Sequence, residues 1–346
     1  MYFVLYDRFL STIGEPYLLE TWSRTQRAVD FDDLKIIGQK ISYAKDPFIV
    51  VVNDRQGKLL FSGLASTPSV DEHTGKTHIY LKDYGTLMNS EFVIDWSGFD
   101  NVQTVAEYLS KVISDWKTSI DIGFDGEISC DVSKIRDIPL DKDVFVKSGK
   151  ESVLAWDLVS DALHYYNLFY ETSLNIRKKM IIFKFGKTGE YELDIALKDF
   201  GINAIEKSFG EYNRVSIYRK NYSMLQQWAL TTNNSVVKLP SDEDLVYPAK
   251  NRNFIASEDT EQSIYDAVYD AVMGLAGNRY QETVDLDVHQ HRQVKDISQI
   301  DFSYSITVFA PDGYTRSLPV GEIETNSKGS KIVRLGYRVQ DLTQEV

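Results

Sequence analysis

A chain of 346 residues with 43% hydrophobic and 12% aromatic side chains can bury more than one core, which favours two or more folded domains over a disordered chain. Its 51 acidic and 38 basic residues leave a formal net charge of −13, which disfavours non-specific attraction to nucleic acid and to anionic membranes. The single cysteine, Cys130, excludes an internal disulfide framework and a cysteine-based zinc cluster, and it indicates synthesis in a reducing compartment.

The N-terminal stretch from Met1 to Tyr6 is apolar, but Asp7 and Arg8 interrupt it at once. This run is too short for the core of a signal peptide or for a membrane span. We therefore expect a protein that is neither secreted by that route nor membrane-spanning.

Antiparallel β structure is predicted for the first part of the chain. Residues 48–52 form a continuous apolar run typical of a buried strand, residues 54–57 supply a turn, and residues 59–61 supply the return strand. A second turn and another strand follow at 73–81. We expect residues 1–98 to form a first tube-like β domain.

Two amphipathic helices are predicted next. Residues 100–101 can cap a helix over 102–116, where apolar side chains recur at helical spacing. A capping-box pattern at 148–151 predicts the start of a second helix, which should end near Tyr166.

Strand patterns return after the second helix. Residues 180–185 and 191–195 flank a glycine-rich turn and predict a β-hairpin. This hairpin would complete an α+β insertion domain over residues 99–206.

A second tube-like β domain is expected from two separated segments, 207–238 and 297–346. In the first segment, Val215 and Ile217 lie on one face of a predicted strand. In the second segment, apolar residues alternate with polar ones over 302–308. The sequence thus predicts an α+β, multi-domain fold with two β domains and α+β insertions.

A small helical insertion is expected over 239–296. A polar stretch at 231–248 predicts a loop or linker, and apolar spacing predicts a helix from Thr260 to Gly277. Strict alternation over 283–288 then predicts a strand with one buried and one acidic face.

The stretches 50–81 and 305–335 share an order of elements: an apolar strand, a turn that ends in glycine (Gly57 and Gly313), a return strand, and a later turn before another strand. Two unrelated meanders can share this order by chance, so the likeness supports a repeated β unit without establishing one.

Enzyme motifs are not supported. The sequence Gly75-Lys76-Thr77 lacks the glycine that a phosphate-binding loop needs five residues earlier, where Val70 stands. No Gly-x-Ser-x-Gly elbow occurs, and one cysteine without a recognisable histidine context gives no case for a nucleophile. We therefore expect no enzymatic activity, although paired carboxylates of a glycosidase cannot be recognised from sequence alone.

A metal site is conceivable at His289 and His291, which share one face of an extended chain near Asp285 and Asp287. Without a third fixed ligand, two histidines at a polar strand end are more often ordinary surface residues. We expect no cofactor, and a divalent ion such as calcium is not derivable from the pattern. Several tyrosines can stack on sugars, but at helical spacing such rings more often fill a core or an interface; these are Tyr165, Tyr166, Tyr170, Tyr265 and Tyr269.

The order of β unit, α+β insert, β unit, small helical insert and β ending resembles the baseplate hub family of bacteriophage tails, which includes the tail-associated protein (Tal) of siphophages and is related to contractile-tail hubs and type VI spike proteins. The strings that carry this resemblance are 50–54 with Gly57, 61–63, 79–83, Tyr212 to Tyr218, Leu275 to Val288 and Lys331 to Leu342.

The resemblance implies a homotrimeric structural hub at the distal tail tip of the virion, synthesised in the cytoplasm of the host bacterium. Such a hub would close the tail channel, anchor the host-recognition apparatus and open for genome ejection after host adsorption. Its partners would be a hexameric distal tail protein, the tail tube or tape-measure protein and receptor-binding proteins, and phage DNA would pass without specific binding. The residues expected in the ring-forming β domain are Val215, Ile217, Tyr218, Leu335 and Tyr337.

The chain lacks the long C-terminal extension in which many such proteins carry a peptidoglycan hydrolase or a fibre, so we expect the short, non-enzymatic form. Two alternatives stay open. A receptor- or carbohydrate-binding tail protein would present an exposed aromatic groove, and a cell-wall hydrolase would depend on a single essential carboxylate.

Overall fold

The computed structural model describes residues 1–41, 47–66, 68–71, 73–202, 211–232, 235–277, 284–287, 299–309, 313 and 315–336. Strands dominate this part of the chain. They are β1 Tyr2–Tyr6, β2 Thr12–Arg27, β3 Asp33–Gly38, β4 Ile49–Asn53, β5 Leu59–Ala65, β6 Ser69–Asp71, β7 Lys76–Lys82, β8 Glu91–Asp95, β9 Glu127–Asp131, β10 Lys150–Leu154, β11 Leu168–Asn175, β12 Met180–Lys187, β13 Tyr191–Ala196, β14 Arg214–Tyr218, β15 Met224–Leu230, β16 Val236–Lys238, β17 Asn251–Ile255, β18 Val284–Asp287, β19 Tyr304–Phe309, β20 Thr315–Asn326 and β21 Lys331–Leu335.

Helices in the described residues are few, and the α+β class expected from the sequence is confirmed. The α-helices are α1 Val105–Ser119, α2 Lys142–Phe145, α3 Ala155–Tyr166 and α4 Glu261–Gly277. Short 3₁₀ turns cover Tyr84–Met88, Trp96–Phe99 and Leu197–Phe200. None of the helices within the described ranges has both the length and the apolar character needed to cross a membrane.

The first β unit, termed the barrel, is a closed antiparallel barrel of six strands. Its order is β1-β4-β5-β7-β3-β2, and β1 also pairs with β2, which closes the circle. Phe3, Val50 and Val52 fill the interior, whereas Ile49 and Val51 of the same strand β4 pack into the neighbouring core. Because β4 is buried on both faces, its sequence is a continuous apolar run, and the predicted hairpin with β5 is confirmed.

The second β unit comprises β13, β18, β19, β20 and β21. Strand β20 pairs antiparallel with β19 and β21, and its residues 322–326 also pair with residues 23–27 of β2. This pairing joins the second β unit to the barrel in one continuous sheet. Val284 and Leu286 point into its core, as the alternating pattern of β18 predicts.

The insertion comprises β8 to β12 with α1 to α3. Strand β12 lies between β11, which is antiparallel, and β9, which is parallel. Helix α1 begins at Val105, later than expected, because Thr104 and Glu107 form a reciprocal capping box there. Helix α3 ends at Tyr166 as predicted, where Asn167 adopts a left-handed conformation.

The helix–sheet unit comprises β14 to β17 and α4. The strand order is β16-β15-β14-β17, and Val268 and Val272 of α4 share a core with Val215 and Ile217 of β14. The predicted helix from Thr260 to Gly277 is confirmed in this position.

The strand pairing differs from the predicted grouping of 207–238 with 297–346. Strand β14 forms hydrogen bonds with β15 and β17, and its apolar face is covered by α4, so it does not enter the sheet that contains β21. Strand β17 and helix α4, expected in a separate insertion over 239–296, complete this same unit. The remaining domain boundaries stay predictions.

Two local predictions are wrong. Residues 150–154 form strand β10 instead of the first turn of a helix, because they pair with β8, and Lys150 forms an ion pair with Asp95. The expected hairpin over 180–195 does not form either. Strand β12 pairs with β11 and β9, whereas β13 leaves that sheet and pairs in parallel with β19 of the second β unit.

Candidate functional site: the junction between the barrel and its neighbours

The residues expected to build a ring lie in two different sheets. Val215, Ile217 and Tyr218 are on β14 of the helix–sheet unit, and Leu335 is on β21 of the second β unit. Val215, Ile217 and Leu335 have no exposed surface within the single chain, so they stabilise cores and do not themselves present a docking surface. Tyr337 lies outside the described residues, and the ring-forming role of all five residues stays a prediction.

The weak metal candidates His289 and His291 also lie outside the described residues. Among the residues that are described, no cluster of three or more His, Cys, Asp or Glu side chains has a geometry that could hold a metal ion.

The tyrosines considered for sugar binding line interior contacts. Tyr265 donates a hydrogen bond from its hydroxyl to the Val144 carbonyl oxygen, and Tyr269 donates one to the Asp161 carboxylate. These bonds connect α4 of the helix–sheet unit to α2 and α3 of the insertion. The rings therefore belong to an interface within the chain, which is the alternative use that their helical spacing indicated.

A buried carboxylate pair, Asp32 and Asp83, lies at the rim of the barrel. Asp83 follows β7 and caps the 3₁₀ turn that begins at Tyr84, where its Oδ1 accepts from the Gly85 amide at 2.6 Å. Its Oδ2 accepts from the Asp32 amide at 2.6 Å and from the Tyr170 hydroxyl at 2.7 Å. Three donors thus converge on one carboxyl group that is only 3% exposed.

Asp32 is held by two arginines of β2. Arg24 donates from a guanidinium nitrogen to Asp32 Oδ2 at 2.8 Å, and the Arg27 backbone amide donates to Oδ1 at 3.0 Å. Burial raises the pKa of Asp32, and Arg24 opposes that shift. Burial, followed by the nearby charge of Asp32, raises the pKa of Asp83 to about 7. The two carboxyl groups therefore disfavour simultaneous ionisation.

Arg27 extends this site toward the second β unit. Its guanidinium donates to the Phe31 carbonyl oxygen at 2.7 Å, to Asp33 at 2.8 Å and to Glu322 of β20 at 3.3 Å. Arg334 of β21 forms an ion pair with the same Glu322. A chain of alternating charges thus crosses the seam where β2 pairs with β20.

Arg334 also pairs with Asp285 of β18 at 2.7 Å, which carries the charge network to the far strand of the second β unit. On the opposite side, Tyr170 of β11 comes from the insertion, and its ring meets Trp156 of α3 at a centroid distance of 5.0 Å. The ring of Phe31 also meets that of Trp156, in a tilted arrangement with a centroid distance of 4.2 Å.

The junction formed by these residues holds three parts of the chain together: the barrel, the second β unit and the insertion. The carboxylate oxygens of Asp32 and Asp83 are all paired within the chain, so these bonds hold the three parts in place, whereas Arg24 Nε is buried without a hydrogen-bond partner. Sequence reasoning missed this site. The available signal was the dense run of charges between Arg24 and Asp33, which is unusual beside two strands that bury apolar residues.

Comparison with known proteins gives a structural match without a sequence match. No protein-family model matches the chain, and no curated protein matches it by sequence. Two solved structures share its fold over nearly the whole length.

The 43 kDa tail protein of prophage MuSo2 from Shewanella oneidensis superposes with a TM-score of 0.52 at 12% identity, covering 97% of this chain and 98% of that one. Prophage tail protein gp18 from Listeria monocytogenes EGD-e superposes with a TM-score of 0.52 at 11% identity, covering 97% and 94%. The resemblance to phage tail proteins that the sequence suggested is confirmed at the level of the fold.

Proposed function

We propose that this chain is a structural protein of a bacteriophage tail, and that three copies form the baseplate hub at its distal tip. The observation that carries this proposal is the whole-chain similarity in fold to two prophage tail proteins, which extends over every unit and not over the barrel alone. The superposition shows a shared fold at 12% identity, and the step from that fold to a shared role is the proposal.

The internal architecture supports a ring. Each chain carries two β units in one continuous sheet, and the five paired residues between β2 and β20 fix their relative orientation. Three such chains present six β units, which can mate with a hexameric tail protein while the hub itself stays threefold. The similar strand order of β4-β5-β7 and β19-β20-β21 agrees with this use of a repeated unit.

The junction has a role in such a ring. It braces the insertion and the second β unit against the barrel through Tyr170, Asp83 and Arg27. In the assembled hub, the insertion and the helix–sheet unit would project from the ring, close the channel and anchor receptor-binding proteins. Their displacement after adsorption would open the channel for the genome.

Electrostatics support passage of DNA without binding. The formal net charge of −13 repels the phosphate backbone, so a lumen that shares this charge lets DNA slide through. The tape-measure or tail-tube protein would contact the side of the ring opposite to the projecting insertion and helix–sheet unit. We propose no catalytic step for the chain. Calcium is a condition to be varied in experiments and is not assigned a site.

The test is the solution mass of the purified protein by light scattering over a range of concentrations, with and without calcium. The proposal predicts the mass of three 39.6 kDa chains. A mass of one chain under every condition, together with measurable glycan binding, would favour a receptor-binding tail protein instead. Loss of peptidoglycan-degrading activity on mutation of one carboxylate would favour a hydrolase.

A further inference from the structure

The helix–sheet unit has a sheet face that points away from α4, termed the outer face. Val215 and Ile217 of β14 point toward α4, so the intervening Ser216 points the other way. Its cross-strand neighbours Gln227 on β15 and Asn253 on β17 lie on the same outer face. In the described chain, α4 is the helix in close contact with these strands, and it packs on the face opposite to the outer face.

Neutral polar side chains hold the centre of the outer face in a fixed arrangement. Gln227 Nε2 donates to Ser216 Oγ at 2.9 Å, and Ser216 Oγ donates to Asn251 Oδ1 at 3.0 Å. Asn251 Nδ2 in turn donates to Asn253 Oδ1 at 2.6 Å. The row is ordered before any partner arrives, which lowers the entropy cost of binding.

Large apolar side chains flank this polar row and are unusually open. Tyr222 is 73% exposed, Met224 59%, Ile255 48% and Tyr247 70%. Met224 and Ile255 both pair in register with Tyr218, so they lie on either side of it at one end of the face. Tyrosine, methionine and arginine are enriched in protein interfaces, and Tyr247 stacks over the guanidinium of Arg214.

Basic residues lie at one end and along the middle strand of the outer face, in a chain whose net charge is −13. Arg214 shares the outer side of β14 with Ser216, and Arg219 and Lys220 follow at the end of that strand, whereas Arg252 and Lys238 lie in register with residues on the α4 side. The acidic residues of this part of the chain are Glu211 and residues 242–244. The turn between β14 and β15 places Lys220 beside Tyr222, and both are exposed. A partner for this face should therefore carry negative charge.

Helix α4 has the complementary charge. The segment 258–277 contains five acidic residues and no basic one, and Glu261, Asp266 and Asp270 are exposed along the helix. Burial, followed by the neighbouring Asp266, raises the pKa of the Asp270 carboxyl, and the charge of Lys147 opposes that shift. Because α4 lies behind the sheet, its acidic side cannot reach the outer face of the same molecule.

We propose that the outer face binds the acidic side of α4 of a second copy, so that copies of this chain associate head to tail. An interface between two different surfaces closes into a ring when the rotation per copy divides a full turn. This inference rests on the proposed oligomeric hub and specifies a contact between its subunits outside the β ring.

The test is charge reversal of the full-length protein, with mass measured by light scattering. Arg219→Glu/Lys220→Glu reverses the sheet side, and Asp266→Lys/Asp270→Lys reverses the helix side. Either pair should weaken self-association about tenfold or more, since like charges then face each other. All four changes in one chain restore opposite charges and should return the association constant to within about threefold of the wild-type value.

Arg177→Glu/Lys178→Glu, on the exposed turn between β11 and β12, makes the same change in charge away from this face and should leave association unchanged. Tyr222→Ser/Met224→Ser tests the apolar part without altering charge, and both side chains are too exposed for the fold to depend on them. An oligomer that survives all outer-face variants would overturn this contact while leaving the hub proposal intact. A wild-type protein that is monomeric at every concentration would overturn both.

Discussion

The buried carboxyl group of Asp83 makes the stability of the protein depend on pH in an unusual direction. Its pKa in the folded chain is about 7, against an ordinary value of 3.8. Between these two values the folded chain keeps a proton that the unfolded chain releases. Raising the pH through this window therefore favours the unfolded state, and stability falls as pH rises.

The size of this effect follows from the two pKa values. Each pH unit inside the window is worth about 1.4 kcal/mol, and the loss is complete once the pH exceeds the folded pKa. From pH 5 to pH 8 the Asp83 carboxyl should lower the free energy of unfolding by about 2 to 3 kcal/mol. Asp83→Asn cannot titrate and removes this contribution. At pH 5 the same substitution should lower the free energy of unfolding by about 1 to 3 kcal/mol. The new amide nitrogen is a hydrogen-bond donor and would face the Asp32 N–H, which is also a donor.

The assay is urea unfolding followed by tryptophan fluorescence at pH 5, 6, 7 and 8. The stability advantage of the wild-type protein over Asp83→Asn should shrink by about 2 to 3 kcal/mol across this range. Asp242→Asn, at an exposed loop carboxyl, serves as the control and should follow the wild-type curve. Parallel curves for the wild type and Asp83→Asn would refute the argument, since they would show that Asp83 has the same pKa in both states.

Three further substitutions test the packing. Tyr170→Phe removes the hydroxyl that donates to Asp83 and should lower the free energy of unfolding by about 2 kcal/mol at pH 8, measured by urea denaturation. Thr104→Ala breaks the capping box with Glu107 and should cost about 1 kcal/mol by the same assay; no change would show that the cap is redundant. Leu335→Ala leaves a cavity in the second β unit and should cost about 3 kcal/mol, seen as a lower melting temperature in calorimetry.

Elements whose partners are close in sequence could be predicted. The run at 48–52 and its return strand appear as β4 and β5 because a short turn brings them together and both faces of β4 are buried. Helix α4 was predicted because Val268, Val272 and Leu275 all face one core.

Elements defined by distant partners could not be predicted. The capping-box pattern at 148–151 predicted a helix start, but the strand is fixed by β8, more than fifty residues earlier in the chain. Strand β13 was assigned to its sequence neighbour β12, whereas its partner β19 lies over one hundred residues later. The placement of β14 apart from β21 is a further example, since strand patterns do not specify which sheet a strand joins.

The junction escaped prediction for a related reason. Asp83 and Tyr170 are separated by 87 positions, and neither belongs to a recognisable motif. Their importance comes from burial, which converts an ordinary aspartate into a carboxyl group that must be satisfied by three donors. Sequence patterns indicated the order of the units, whereas the contacts between the units became visible only in the three-dimensional structure.

The central claim is that three chains close a ring in which six β units surround a channel. Electron cryo-microscopy of the purified full-length protein tests it most directly. The account predicts threefold particles with six similar β lobes around a central channel and with the helix–sheet units outside that ring. Particles of a different symmetry would contradict this claim. A ring in which only the helix–sheet units of neighbouring chains are in contact, and the barrels are not, would also contradict it.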